Sequence, residues 1–216
     1  MADGCCSCAP TFDGSSVAYR RVLWIVIALN AAMFMVEVAA GYLARSQALQ
    51  ADALDFLGDA ATYALTLLVI GRPAAWRSNA ALFKGVSLGA LALWVAGSTL
   101  WRVIMGGVPD AVTMSAVGAL ALAVNVGAAL LLFRFRNGDA NVRSAWLCSR
   151  NDAIGNVAVM LAAAGVWASG SSWPDLVVAF AMSALFLHSA TRIVRQASGE
   201  LRHVRAATAT LGATTR

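Results

Sequence analysis

Charge is what this sequence has least of. Only 12% of its 216 residues are Asp, Glu, Lys or Arg, and lysine occurs once, at Lys84. A soluble domain is about 25% charged and about 45–50% apolar. Here 60% of residues are hydrophobic and the mean hydropathy is +0.70, which excludes a soluble globular fold. The chain also lacks a polar stretch long enough for a sizeable soluble domain, a solenoid-type repeat and a low-complexity tract. Proline is rare. Pro73, Pro109 and Pro174 fall at the boundaries of apolar runs, where a missing amide donor does least harm. The N-terminus shows no apolar core of the kind a cleavable signal needs, and the first apolar run is of full spanning length. The net charge of +5 does not point to nucleic acid, because no folded basic module is left to read one. A preference for anionic lipid head groups is its simpler consequence.

What the sequence does have is apolar length. Six stretches are long enough to span a bilayer: about Val22–Leu43, Leu49–Ile70, Ala81–Met105, Ala111–Phe133, Ser144–Ser169 and Trp173–Arg192. The links between them are short, so neighbouring helices run antiparallel. The expected fold is all-α, an integral membrane bundle of six transmembrane helices. It comprises a tail over 1–20, a six-helix membrane domain over 21–196 and a short tail over 197–216. Basic residues set the orientation. Arg20, Arg21, Arg72, Arg77, Lys84, Arg134, Arg136, Arg143, Arg192, Arg195, Arg202, Arg205 and Arg216 fall on the side of the two termini. Arg45 and Arg102 fall near the other side, and Arg150 lies inside the fifth span. The positive-inside rule then places both termini in the cytoplasm and the protein in the cell membrane.

Against this apolar background a few acids stand out. The second span carries Asp52, Asp55 and Asp59 on one helical face, at spacings of three and four. The fifth carries Cys148 and Asp152, again four apart. An Asp near the middle of a spanning helix costs roughly 2.5–3.5 kcal/mol on insertion scales, so such residues are functional candidates by default. Asp55 with Asp59, and Cys148 with Asp152, each project two donors to one side of a helix. If the two spans face each other, four mixed oxygen and sulfur ligands suit a tetrahedral metal site. The thiolate tilts that site toward Zn²⁺ or Cd²⁺ and away from Mn²⁺, while Ca²⁺ and Mg²⁺ want other geometries. Asp52 lies nearer the start of its helix, where the macrodipole favours a carboxylate; it either starts the helix or guards access to the site. Asn151 and Asn156 flank Asp152 and are placed to support it. Glu37 and Asn30 in the first span, and Asn125 in the fourth, read as hydrogen-bonding links between helices or a path for protons. His188 reads as packed or interfacial.

Cys5, Cys6 and Cys8 crowd the N-terminal tail. A cytoplasmic tail does not favour stable disulfides, and the spacing matches no closed zinc module. Soft-metal capture, lipidation and no role at all are the readings open to it. In the third span Gly85 and Gly89 form a small-xxx-small face, suited either to a homodimer contact or to packing within one bundle.

The chain resembles the cation diffusion facilitators, exporters of divalent transition metals. The likeness runs from about Asn30 to Glu200. It rests on NAAMFMVEVAAG from Asn30, SQALQADALDFLGD in the second span, VRSAWLCSRNDAIGNVAV in the fifth, and WPD at Trp173–Asp175. In that family two residues from each of these spans bind the transported ion, and the matching positions are Asp55, Asp59, Cys148 and Asp152. Family members commonly carry His at the position of Cys148 and often at that of Asp55. The resemblance implies a dimeric, proton-coupled exporter working by alternating access, with metal ions, protons and the bilayer as partners and no prosthetic group. Two departures stand beside it. The residues after Arg192 are too few for the cytoplasmic metal-binding domain with which the family usually ends. Arg77 and Lys84 also lack the acid that usually follows closely at the inner end of the third span. The competing readings are a metal sensor or membrane anchor, and a phosphotransferase of the CDP-alcohol type. GYLAR at Gly41–Arg45 echoes the latter only loosely, because Ala40 stands where its first Asp belongs.

Overall fold

The computed structural model describes residues 16–69, 74–135 and 140–214. They form six helices: α1 (Val17–Leu43), α2 (Gln47–Val69), α3 (Ala74–Met105), α4 (Ala111–Phe133), α5 (Ala140–Ser169) and α6 (Trp173–Thr214). No strand occurs among the described residues. α4 has the bounds expected from hydropathy. Asp110 caps it, accepting from the Thr113 amide at 3.0 Å and from the Thr113 hydroxyl. Those bonds hold the exposed Asp110 carboxyl below the ordinary carboxylate range. α3, α5 and α6 run further than their apolar runs because the flanking polar residues are themselves compatible with helix. α6 has 42 residues. At 1.5 Å per residue that is about 63 Å, against a hydrocarbon core of about 30 Å.

Five of the six helices are long and apolar enough to cross a membrane. α2 differs because it has 23 residues and every 18-residue stretch of it contains Asp52, Asp55 and Asp59. It packs against α1, α3, α5 and α6. The remaining helices turn large apolar side chains outward, among them Trp24, Leu43, Trp94, Leu130 and Trp167. α3 pairs most extensively with α6, α4 with α5, and α1 with α2. The small face of α3 is used in the first of these pairs. A Cβ at Gly85 would lie 2.9 Å from Ile193 Cγ2, and one at Gly89 would lie 3.4 Å from the Ala190 Cβ. The Gly85/Gly89 face is therefore filled by α6 of the same chain and is not an open surface for a second copy.

Apolar clusters close the bundle at both ends. Near the start of α1, Tyr19, Leu23 and Val26 pack with Tyr63 and Leu67 of α2 and Leu132 of α4. Near its other end, Ala40 and Ala44 pack with Leu49 of α2, Met114 of α4, and Val159 and Val166 of α5. The intramembrane acids lie between these clusters along α2.

The end of the bundle that holds the α1–α2 link is tied together by hydrogen bonds. α1 stops where Arg45 takes a left-handed conformation (φ 56°), and the Ser46 amide donates back to the Gly41 carbonyl at 2.9 Å. The Asp110 amide donates to the Ala44 carbonyl at 2.9 Å, which joins the α3–α4 link to the α1–α2 link. Gln47 Oε1 accepts from Ser98 Oγ of α3 at 2.7 Å.

Candidate metal centre

The start of α2 leaves backbone amides that need acceptors. Asp175, on the first turn of α6, supplies two of them. Its Oδ2 accepts from the Gln47 amide at 2.8 Å and its Oδ1 from the Ala48 amide at 3.0 Å. The Ser46 hydroxyl donates to the same Oδ1 at 2.6 Å and accepts from the Leu49 amide at 3.1 Å. Asp175 thus caps a helix from 128 residues away. No local signal in the sequence announces this; WPD carried the resemblance but suggested no role.

Beyond this cap come the acids of α2. Asp52 is the sixth residue of the helix, past the first turn, and is 1% exposed. Its reading as a helix-start acid is therefore corrected: Asp175 and Ser46 already do that work. Its carboxyl group lies beside that of Glu37 on α1, which is 0% exposed. The two carboxyls lie close enough for a side-chain hydrogen bond to each other, and among the described residues no other group donates to their four oxygens. Glu37 was expected to hydrogen bond between helices or to lie on a path for protons; its carboxyl lies within side-chain hydrogen-bonding reach of Asp52, which links α1 to α2. Asn30 donates to the Val26 carbonyl of its own helix at 2.8 Å. Asn125 is buried.

Asp55 and Asp59 follow at one-turn spacing. Both lie beside Asp152 of α5, close enough for side-chain hydrogen bonding. The structure thus brings together three of the four residues expected as ligands. Asp59 also accepts from the Tyr63 hydroxyl at 2.6 Å, a contact that the i, i+4 spacing could have revealed. Among the described residues, no group of three or more His, Cys, Asp or Glu side chains is arranged to hold a metal ion. Cys148 belongs to α5, one turn before Asp152, but its side chain lies outside what the structure describes. Cys5, Cys6 and Cys8 lie outside the described residues. Asn151 is exposed and accepts from Arg150 at 3.2 Å. Asn156 is fully buried, and neither polar atom of its side-chain amide has a partner. His188 is exposed.

The acid that the third span lacks in sequence is supplied in space. Lys84 interacts electrostatically with Asp59 of α2 and hydrogen bonds to Thr62. Ser78, nearer the start of α3, donates to Glu200 of α6 at 2.7 Å.

Apolar helices around an acid-bearing one, with carboxyls gathered between closed apolar ends, define a multi-pass membrane protein that holds charge in its interior. Residues 23–201 match the cation efflux transmembrane domain, and the chain belongs to the cation diffusion facilitator family. It is 27% identical over 172 residues to the metal cation efflux system protein CzcD of Cupriavidus metallidurans, covering 74% of this chain and 54% of that protein. It is 27% identical over 195 residues to the zinc transporter ZitB of Escherichia coli, covering 84% of this chain and 62% of that protein. A cadmium, cobalt and zinc/H(+)-K(+) antiporter of Bacillus velezensis is 25% identical over 194 residues, covering 82% of this chain and 61% of that protein. The chain therefore spans somewhat more than half the length of these curated relatives.

Proposed function

We propose that this chain exports divalent transition-metal cations of the Zn²⁺ or Cd²⁺ type across the cell membrane, by alternating access and in exchange for protons. The observation that carries this reading is the meeting of Asp55 and Asp59 of α2 with Asp152 of α5 inside an apolar bundle. Carboxylates so placed repel one another and have lost most of their water, so a cation between them offsets both costs. Cys148, one turn before Asp152 on the same helix, is the proposed fourth ligand. The relatives' names point the same way, since they are efflux proteins and transporters for metal cations, zinc, cadmium and cobalt among them.

In this reading all six helices cross the bilayer. α2 has 23 residues. That is about 34 Å of helix, which is enough to span. The helices around it shield its acids from lipid. The excess of arginine on the side of the termini supports a cytoplasmic location for both ends. The functional unit is taken to be a homodimer, with its interface elsewhere than the Gly85/Gly89 face. Transport of Zn²⁺ and Cd²⁺ into sealed vesicles, with a pH gradient applied or collapsed, tests the proposal. Flux that depends on the gradient and disappears in Asp59→Ala is the expected result. Binding without flux would make the protein a sensor or an anchor instead.

A further inference from the structure

Arginine is concentrated at the end of the bundle that holds the two termini, yet Arg45 and Arg102 sit together at the opposite end. From the last turn of α3, Arg102 Nη2 donates to the Arg45 carbonyl in the α1–α2 link at 3.4 Å. The same guanidinium lies against the glycine turn that follows α3, where a Cβ at Gly107 would be 3.4 Å from Nη1. Among the described residues neither arginine is in an ion pair with a carboxylate. The acids of this end are engaged elsewhere. Asp175, which Arg102 reaches electrostatically, has three donors on its two oxygens, and Asp110 is bonded to Thr113. The two arginines border a cleft of about 360 Å³ between the start of α2 and the final turns of α3. Trp94, Ser98, Trp101 and Arg102 form its α3 wall, at spacings that put them on one helical face. Trp94 is 72% exposed and Trp101 61%. Gln47, across from them, is 4% exposed. Its Oε1 accepts from Ser98 Oγ at 2.7 Å and from Thr99 Oγ1 at 3.4 Å, so the amide is held in place and its Nε2 donors are left for the cleft.

We infer that this cleft binds the phosphate of an anionic phospholipid, with Arg45 and Arg102 on the phosphate oxygens, Gln47 as a neutral donor, and Trp94 and Trp101 against the glycerol and upper acyl chain. Guanidinium suits phosphate because its planar fork donates two parallel hydrogen bonds. Two cations that share a cleft without a carboxylate repel each other, and a shared anion removes that cost. The cleft has the size of a small-molecule site. Its apolar wall decides between a lipid and a free anion. A free phosphate has no use for two exposed indoles, whereas Trp is the side chain that favours head-group depth. Basic pockets between spanning helices suit lipid head groups for the same reasons of charge and position. A lipid held here bridges α3 to the α1–α2 link, beside the attachment of α2 by Asp175. The inference involves no metal and does not rest on transport, so the two can fail separately.

Thermal melting of the purified full-length chain in detergent, with phosphatidylglycerol or phosphatidylcholine added, tests it. Phosphatidylglycerol should raise the melting temperature and phosphatidylcholine should not, since a ligand held only by the folded chain stabilises it by mass action. Arg45→Gln and Arg102→Gln should each raise the phosphatidylglycerol concentration needed for half the shift by roughly tenfold, the usual worth of a hydrogen bond to a charged group. Arg45→Lys should lose less, because it keeps the charge and gives up only the fork. Each variant is compared with its own lipid-free melting temperature. The Arg45 guanidinium makes no hydrogen bond among the described residues, so Arg45→Gln decides the matter even if Arg102→Gln fails to fold. Arg195→Gln, an exposed arginine of α6 toward the other end, should respond as the wild type does. Equal shifts by the two lipids would overturn the inference, as would an unchanged response in Arg45→Gln. Equal loss in Arg195→Gln would overturn it too, by reducing the effect to net charge. Inorganic phosphate that reproduces the shift without lipid would make the cleft a small-anion site and overturn the lipid assignment.

Discussion

Asp175 and Asp52 invite comparison, because both are buried acids that serve the first half of α2 and both are 1% exposed. Asp175 comes from another helix and meets the open end of α2, where its two oxygens accept three hydrogen bonds. Asp52 belongs to α2 itself, lies beyond the first turn, and has only the carboxyl of Glu37 within hydrogen-bonding reach. Burial alone does not separate them; the state of their lone pairs does. An acid whose oxygens are all engaged stabilises the fold and has little left to offer a ligand. An acid with free oxygens costs stability and keeps its capacity to bind a cation. By this criterion the start of α2 is structural, and its middle is where the proposed function would reside.

The largest expected effects are on the functional side. Asp55→Ala, Asp59→Ala and Asp152→Ala should each abolish metal flux in vesicles while leaving a folded protein in the membrane, since a four-donor site that loses a charged oxygen loses both geometry and charge balance. Near-normal zinc flux in Asp59→Ala would remove the central claim. The next pair breaks or sharpens the comparison directly. Asp175→Ala leaves the Gln47 and Ala48 amides without acceptors and should cost roughly 2–4 kcal/mol, read as a lower melting temperature in detergent. Asp52→Asn should leave the melting temperature unchanged or raise it, because it replaces one of two adjoining buried acids by a neutral amide. It should also harm transport less than Asp59→Ala does. If Asp52→Asn unfolds the bundle while Asp175→Ala does not, the division of roles is reversed.

A smaller effect concerns the kind of donor rather than its presence. Cys148→His should keep zinc flux, because imidazole is a good tetrahedral zinc ligand, and should lower cadmium flux relative to zinc. The His variant should also retain more uptake at mildly acid pH, since an ordinary imidazole (pKa about 6.5) gives up its proton to the metal more readily than an ordinary thiol (about 8.5). An unchanged Cd²⁺/Zn²⁺ ratio together with an active Cys148→Ala would mean that Cys148 only packs. The smallest effect is expected from replacing Cys5, Cys6 and Cys8 by Ser. Apparent affinity should shift slightly and the maximal rate should hold, because a tail can raise the local ion concentration without shaping the transport step. A large fall in rate would make the tail part of the mechanism.

Much of this was legible in the sequence because it rests on short-range regularities. Hydropathy marked both ends of α4, and the i, i+4 spacing paired Asp55 with Asp59. Intramembrane acids on two spans suggested that α2 and α5 meet, and the structure sets Asp152 beside both α2 acids. What escaped depends on three-dimensional neighbours. Asp175 is 128 residues from the helix it caps. Glu37 and Asp52 meet across two helices, and Lys84 finds its acid on α2 rather than further along α3. The small face of α3 had two readings with equal local support, and only the position of α6 decided between them. The extra length of α6 escaped because hydropathy marks where a helix leaves lipid and not where it ends.

The attachment of α2 by Asp175 and Ser46 also fixes a pivot. With one end of the helix held to α6, a tilt of α2 is a rotation about that point, and displacement grows with distance along the rod. Asp52 sits about 8 Å from the pivot and Asp59 about 18 Å, at 1.5 Å per residue. A tilt of about 10° would then carry Asp59 through about 3 Å and Asp52 through little more than about 1 Å. The first distance is enough to break or make a metal bond, and the second is small enough to leave Asp52 beside Glu37. Under such a tilt the far carboxylates would change partners while the near one stayed in place.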